Sequence, residues 1–98
     1  MNEQELTDAL SKYAEQAVAK VTPRLRFTVN ANAAEDDGFK WLNGVVDFYF
    51  REGSSAEEQS AEKALRAITE IIEDDDRMEC DEEGYGEGQM GITVTVQL

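Results

Sequence analysis

The chain has 98 residues, 22 acidic and 9 basic, with no histidine, a net charge of −13 and 41% hydrophobic side chains. That length makes one domain, and the apolar share suffices for a folded core, which separates the chain from an acidic disordered tail. The charge argues against direct binding to nucleic acid or to an anionic membrane, and the lack of histidine removes imidazole acid–base catalysis, Ser-His and Cys-His nucleophiles and histidine-ligated zinc.

From Glu3 to Val21 the apolar residues Leu6, Leu10, Tyr13, Ala14, Ala17, Val18 and Val21 fall at helical spacing, and Pro23 is expected to end that helix. Arg24 to Asn32 then alternates, with Leu25, Phe27, Val29 and Ala31 on one face, which predicts a half-buried strand. Two turn signals follow, Asp37-Gly38 and Asn43-Gly44. A turn at Asp37-Gly38 sets Leu25 opposite Phe50, Phe27 opposite Phe48 and Val29 opposite Val46, all apolar and on one face. That register is preferred, with Asn43-Gly44 as a bulge or bend.

Ser55 and Glu58 form a capping-box signature for a second helix over Ala56 to Glu73, with Ala61, Ala64, Leu65, Ile68, Ile71 and Ile72 as its apolar stripe. Arg77 to Glu82 reads as a short strand with Met78 and Cys80 inward. Gln89 to Leu98 reads as a strong one with Ile92, Val94, Val96 and Leu98 inward. The expected fold is therefore α+β, a single acidic domain over residues 1–98. Its order is α-β-β-α-β-β, with a four-stranded, mainly antiparallel sheet and both helices on one face.

Gly86, Gly88 and Gly91 spell G-x-G-x-x-G, but a strand follows where a dinucleotide site needs a helix, and Asp81, Glu82, Glu83 and Glu87 would repel phosphate. A glycine-rich hairpin loop is the better reading. The acids after Asp74 fail the calcium-loop pattern, and paired-carboxylate hydrolysis needs an enclosed pocket that so small a chain has little room for. No enzyme activity, metal or cofactor is expected. Cys80 stands alone between Glu79 and Asp81, which disfavour its thiolate, so it reads as a buried strand cysteine. Met1 to Leu10 lacks the apolar run of a signal peptide, and no stretch approaches the ~18 apolar residues of a membrane span, so a cytoplasmic protein is expected.

What remains is the run from Glu70 to Glu87. It holds Glu70, Glu73, Asp74, Asp75, Asp76, Glu79, Asp81, Glu82, Glu83 and Glu87 against one base, Arg77. Folded as a hairpin it spans roughly 30 Å, about one carboxylate per 3 Å, close to the ~3.4 Å phosphate spacing of a single DNA strand. Confining that charge costs stability through self-repulsion, whereas neutral polar residues would keep a loop soluble with less penalty. The excess favours a partner-binding surface over a solvated loop. Trp41, near Phe39 and Leu42, is either an exposed anchor or a cover for one edge of the core. Arg24, Arg26 and Arg51 are expected on the outer sheet face, paired with Asp47 and neighbouring acids. That face, or the edge of the last strand, offers a homodimer contact.

In size, acidity and lack of catalytic groups, and in the run Glu70 to Glu87, the chain resembles the small acidic inhibitors of phages and mobile elements, the anti-CRISPR and anti-restriction DNA mimics. The resemblance implies a non-enzymatic protein of a bacterial host cell's cytoplasm that occupies the basic nucleic-acid-binding groove of a partner protein or ribonucleoprotein. The alternative is a small acidic dimeric chaperone or adaptor that holds a client segment by hydrophobic contacts.

Overall fold

The computed structural model describes residues 1–98, the side chain of Glu82 excepted. The elements are α1 (Glu3–Val18), β1 (Arg26–Asp36), β2 (Phe39–Tyr49), α2 (Ser55–Glu73), β3 (Glu79–Gly86) and β4 (Gln89–Gln97). They give the α+β order read from the sequence. The four strands form one antiparallel sheet in the order β1-β2-β4-β3. Because β4 lies between β2 and β3, the last strand is interior and presents no edge for a dimer.

Both helices cover one face. Leu42, Val46, Phe48, Met90, Ile92, Val94 and Val96 point from the central strands into a core completed by Leu6, Leu10, Ala14, Ala17 and Val18 of α1 and by Ala61, Ala64, Leu65, Ile68 and Ile72 of α2. The other sheet face carries Thr28, Asn30 and Asn32 of β1, Trp41, Asn43, Val45, Asp47 and Tyr49 of β2, and Thr93, Thr95 and Gln97 of β4, and no helix covers it.

The first hairpin has the register expected from Asp37-Gly38: Phe27 pairs with Phe48, Thr28 with Asp47 and Val29 with Val46. The Phe27 and Phe48 rings meet edge-on with centroids 6.4 Å apart. Asp37 (φ 49°) and Gly38 (φ 82°) are both left-handed, as a two-residue type I′ turn requires. Asn43-Gly44 is neither bulge nor bend, for both residues lie in regular register with Asn32 and Ala31. Gly44 serves packing instead. A Cβ there would lie 2.5 Å from Leu10 Cδ1 and 3.3 Å from Leu6 Cδ2, so its absence lets α1 settle onto β2.

Other boundaries move for local reasons. α1 stops at Val18, not Val21, because bonds from Lys20 N to Ala17 O and Val21 N to Val18 O tighten its last turn before Pro23 is reached. Val21 still reaches the core. The first strand starts at Arg26 and runs on to Asp36. The cap of α2 is Ser54, whose hydroxyl accepts from Glu57 N, rather than Ser55. Glu57 is thereby free to clamp the preceding loop, accepting from the Arg51 backbone N–H at 3.2 Å. β3 begins at Glu79, two residues later than expected. Leu98 is 62% exposed, not inward, since β4 ends at Gln97.

Candidate functional site

The acidic run begins where α2 ends. Glu70 and Glu73 sit in the last turn, Asp74 caps it, and no basic residue lies there. Carboxylates at a helix C-terminus face the negative end of the macrodipole, a placement that opposes stability by about 0.3–1 kcal/mol each near the surface. Glu70, Glu73, Asp74 and Asp76 are exposed.

Asp75 differs from its neighbours. Its carboxylate accepts the Tyr13 hydroxyl at 2.7 Å and receives Arg77 in two-pronged fashion, Nε at 3.0 Å and Nη2 at 2.8 Å, as well as the Arg77 backbone N–H at 3.0 Å. The Arg77 guanidinium therefore holds the Asp75 carboxyl far below the usual carboxylate range, with the Tyr13 hydroxyl assisting against the cost of burial. Asp75 likewise raises the Tyr13 phenol, chiefly through their hydrogen bond. This triad ties α1 to the loop after α2. It also engages Arg77, the one base between Glu70 and Glu87.

A β-bulge then sorts the acids of β3. Glu79 pairs with Thr95 and Cys80 with Val94, but Glu82 pairs with Thr93, so Asp81 is the extra residue. Asp81 accepts a hydrogen bond from the Thr95 hydroxyl, which places it with Glu79 toward the uncovered sheet face. Beyond the bulge the phase reverses. Glu83 accepts the Tyr85 hydroxyl at 2.6 Å, and the two line a recess with Glu62, Leu65 and Arg66 of α2. Tyr85 is 65% exposed, and its phenol is raised by the bond to Glu83. Glu87 lies in the second hairpin loop, some 26 Å along the strand from Glu79 at ~3.3 Å per residue. Glu70, Glu73, Asp74 and Asp76 thus lie at or just past the end of α2, and Glu79 and Asp81 toward the uncovered sheet face at the start of β3, while Glu83 lies farther along β3 and Glu87 beyond it. Glu82, also expected in the array, has its side chain outside the described residues.

Trp41 points to the uncovered face, where its indole N–H donates to Asn43 Oδ1 at 3.1 Å, so it does not cover the core. It lines an open groove with Phe39, Lys40, Thr95, Gln97 and Leu98. Phe39, 76% exposed, stands beside Trp41 as its place in the sequence suggests, whereas Leu98, expected inward, joins them here. The hairpin register carries Phe39 beyond the end of β4. The same register sets exposed Glu35, Asp36 and Asp37 at that tip. Thr95 belongs to this groove and also holds Asp81, so the aromatic groove and the β3 acids adjoin.

The arginines lie at the other end of the sheet and do not pair with Asp47. Arg24 bonds Glu15 at 2.7 Å and Arg51 meets Glu57 at 3.4 Å. Arg24 and Arg26 border a shallow recess with Tyr49, whose hydroxyl shares a hydrogen bond with that of Thr28. The chain is therefore polarised, with bases near the start of β1 and acids near the start of β3. Cys80 is half-buried against the core, and burial, then Glu73, Asp81 and Glu83, push its thiol pKa up. Among the described residues no group of three or more carboxylates or thiols is arranged to hold a metal ion, and no helix is long and apolar enough to cross a membrane. Comparison with known proteins finds no family model that matches the chain and no curated protein that matches it.

Proposed function

We propose that the protein is a non-enzymatic binding protein whose acidic α2–β3 junction occupies a basic, nucleic-acid-binding surface of a partner protein or ribonucleoprotein, in the manner of a DNA-mimic inhibitor. One observation carries this reading. Glu70, Glu73 and the capping Asp74 sit at the negative end of α2 with no base in its last turn, exposed Asp76 and Glu79 follow within five residues of Asp74, and the nearby Arg77 is already engaged by Asp75. Folding alone is served better by neutral residues there, and a cationic partner would relieve that cost. Its side chains would do so through charge-assisted hydrogen bonds, and screening by salt then weakens the complex.

The test is capture from a bacterial lysate on the immobilised protein at low salt, with elution first by salt and then by a duplex or single-stranded oligonucleotide. Displacement by the oligonucleotide supports the reading. A partner held through the salt gradient and indifferent to nucleic acid refutes it. The groove of Phe39, Trp41 and Leu98 favours a second reading, a chaperone or adaptor that holds an apolar client segment, and such binding survives salt.

A further inference from the structure

The two edges of the sheet are built differently. β3 is interrupted by the bulge at Asp81, carries Glu79, Asp81, Glu82 and Glu83, and ends in Gly84 and Gly86. Charge, bulge and weak strand formers are the devices that keep an edge from pairing. β1 has none of them at its centre. Its eleven residues run in unbroken register, with Val29 to Ala34 free of charge, lysine and proline.

Backbone polarity along β1 follows from its neighbours. Leu98 N bonds Lys40 O and Phe50 N bonds Gly88 O, so the even residues of β2 face β4 and its odd residues face β1. In antiparallel pairing the partners of those odd residues, the even residues of β1, bond inward. Phe27, Val29, Ala31, Ala33 and Glu35 then turn their N–H and C=O groups out from the sheet. The Ala33 N–H does so visibly, donating to the exposed Glu3 carboxylate at 3.2 Å.

We propose that this edge pairs with the same edge of a second copy of the chain, antiparallel and centred on Ala31, to give a two-fold dimer with one continuous sheet. Only outward-bonding residues can face one another, which restricts the register to odd opposite odd. Centring on Ala31 uses the full strand. Val29 then faces Ala33, Asn30 faces Asn32, and Arg26 faces Asp36 at both ends of the interface. About ten backbone hydrogen bonds become available, and half-buried Phe27, Val29 and Ala31 gain cover. The Arg26–Asp36 pairs are exposed and set register more than affinity. Glu3 must swing away from Ala33, a small rearrangement for an exposed side chain. β3 opposed to itself would bring carboxylate against carboxylate, so the second edge stays unpaired and the assembly closes at two.

Sedimentation of the full chain from micromolar to millimolar concentration tests this. The expected mass climbs from 11.0 kDa toward twice that value. Ala31→Pro removes the central outward N–H without breaking a bond to β2, and is expected to leave a monomer with an unchanged circular dichroism spectrum. Should that variant unfold, charge exchange decides: Arg26→Asp or Asp36→Arg alone weakens the dimer roughly tenfold by opposing like charges at both ends, and the two together restore it. A monomer at every concentration, an open-ended polymer, or a dimer indifferent to the exchanges overturns the proposal.

Discussion

Gly44 is where a helix packs most closely on a sheet glycine, against Leu10 and Leu6 of α1, and Gly44→Ala tests that contact. The added methyl would stand 2.5 Å from Leu10 Cδ1, where carbon atoms in contact sit about 3.5–4.0 Å apart. Roughly 1 Å of movement is therefore required of Leu10 or of α1. Leu10 and Leu6 are both fully buried, so neither turns aside into solvent. Overpacking of this kind costs about 1–3 kcal/mol, against a gain of about 0.5–1 kcal/mol from replacing a strand glycine. The net expectation is a loss of about 1–2 kcal/mol, or roughly 5–10 °C in Tm for a domain this small. Urea and thermal unfolding followed by circular dichroism measure it. Leu10→Ala alone should cost about 2–5 kcal/mol, and the double variant should cost less than the two singles summed, by about 1 kcal/mol or more. A neutral or stabilising Gly44→Ala would mean that α1 does not rest on β2 at this point.

Two further outcomes follow from displaced ionisations. Asp75 has its pKa lowered in the folded chain, so its contribution is complete above the ordinary carboxylate range and declines as pH falls below it toward the folded value. Asp75→Asn should therefore be less stable than the parent by a constant amount from about pH 5 to 8, with the gap closing below about pH 4; a gap that widens in acid would contradict the triad. The Cys80 thiol is raised by burial and by neighbouring carboxylates, so its reaction with a disulfide reagent at pH 8 should be much slower in the folded chain than in urea, and equal rates would place it at the surface.

The first hairpin was legible because two independent signals, an Asp-Gly turn and three apolar cross-strand pairs, agree on one register. The cap of α2 was legible only to within a residue, because Ser54 with Glu57 and Ser55 with Glu58 both satisfy the capping pattern. Leu98 follows the alternation of β4 but lies past its last ladder pair, where periodicity no longer enforces burial. Asn43-Gly44 carried a turn signal because Asn-Gly is a common hairpin dipeptide, while the contact that explains Gly44 comes from a helix more than thirty residues away. The acidic run was visible as charge but not as geometry. The bulge at Asp81 inverts the phase of β3, sending Glu79 and Asp81 one way and Glu83 the other, and no local residue preference marks where an extra residue falls. The Asp75–Arg77–Tyr13 triad was hidden for the same reason. Among adjacent aspartates, only the approach of α1 distinguishes the one that is structural.

Affinity for the captured partner, measured at low and at moderate salt with the parent chain and a neutralised one, bears most directly on the function proposed. The neutralised chain carries Glu73→Gln, Asp74→Asn, Asp76→Asn, Glu79→Gln and Asp81→Asn, and keeps Asp75 for the fold. The expected result is a parent affinity that falls steeply with salt and a neutralised chain, unchanged in circular dichroism, that binds weakly and with a shallower salt dependence. Equal affinity of the two chains, or binding by the parent that ignores salt, would contradict the account.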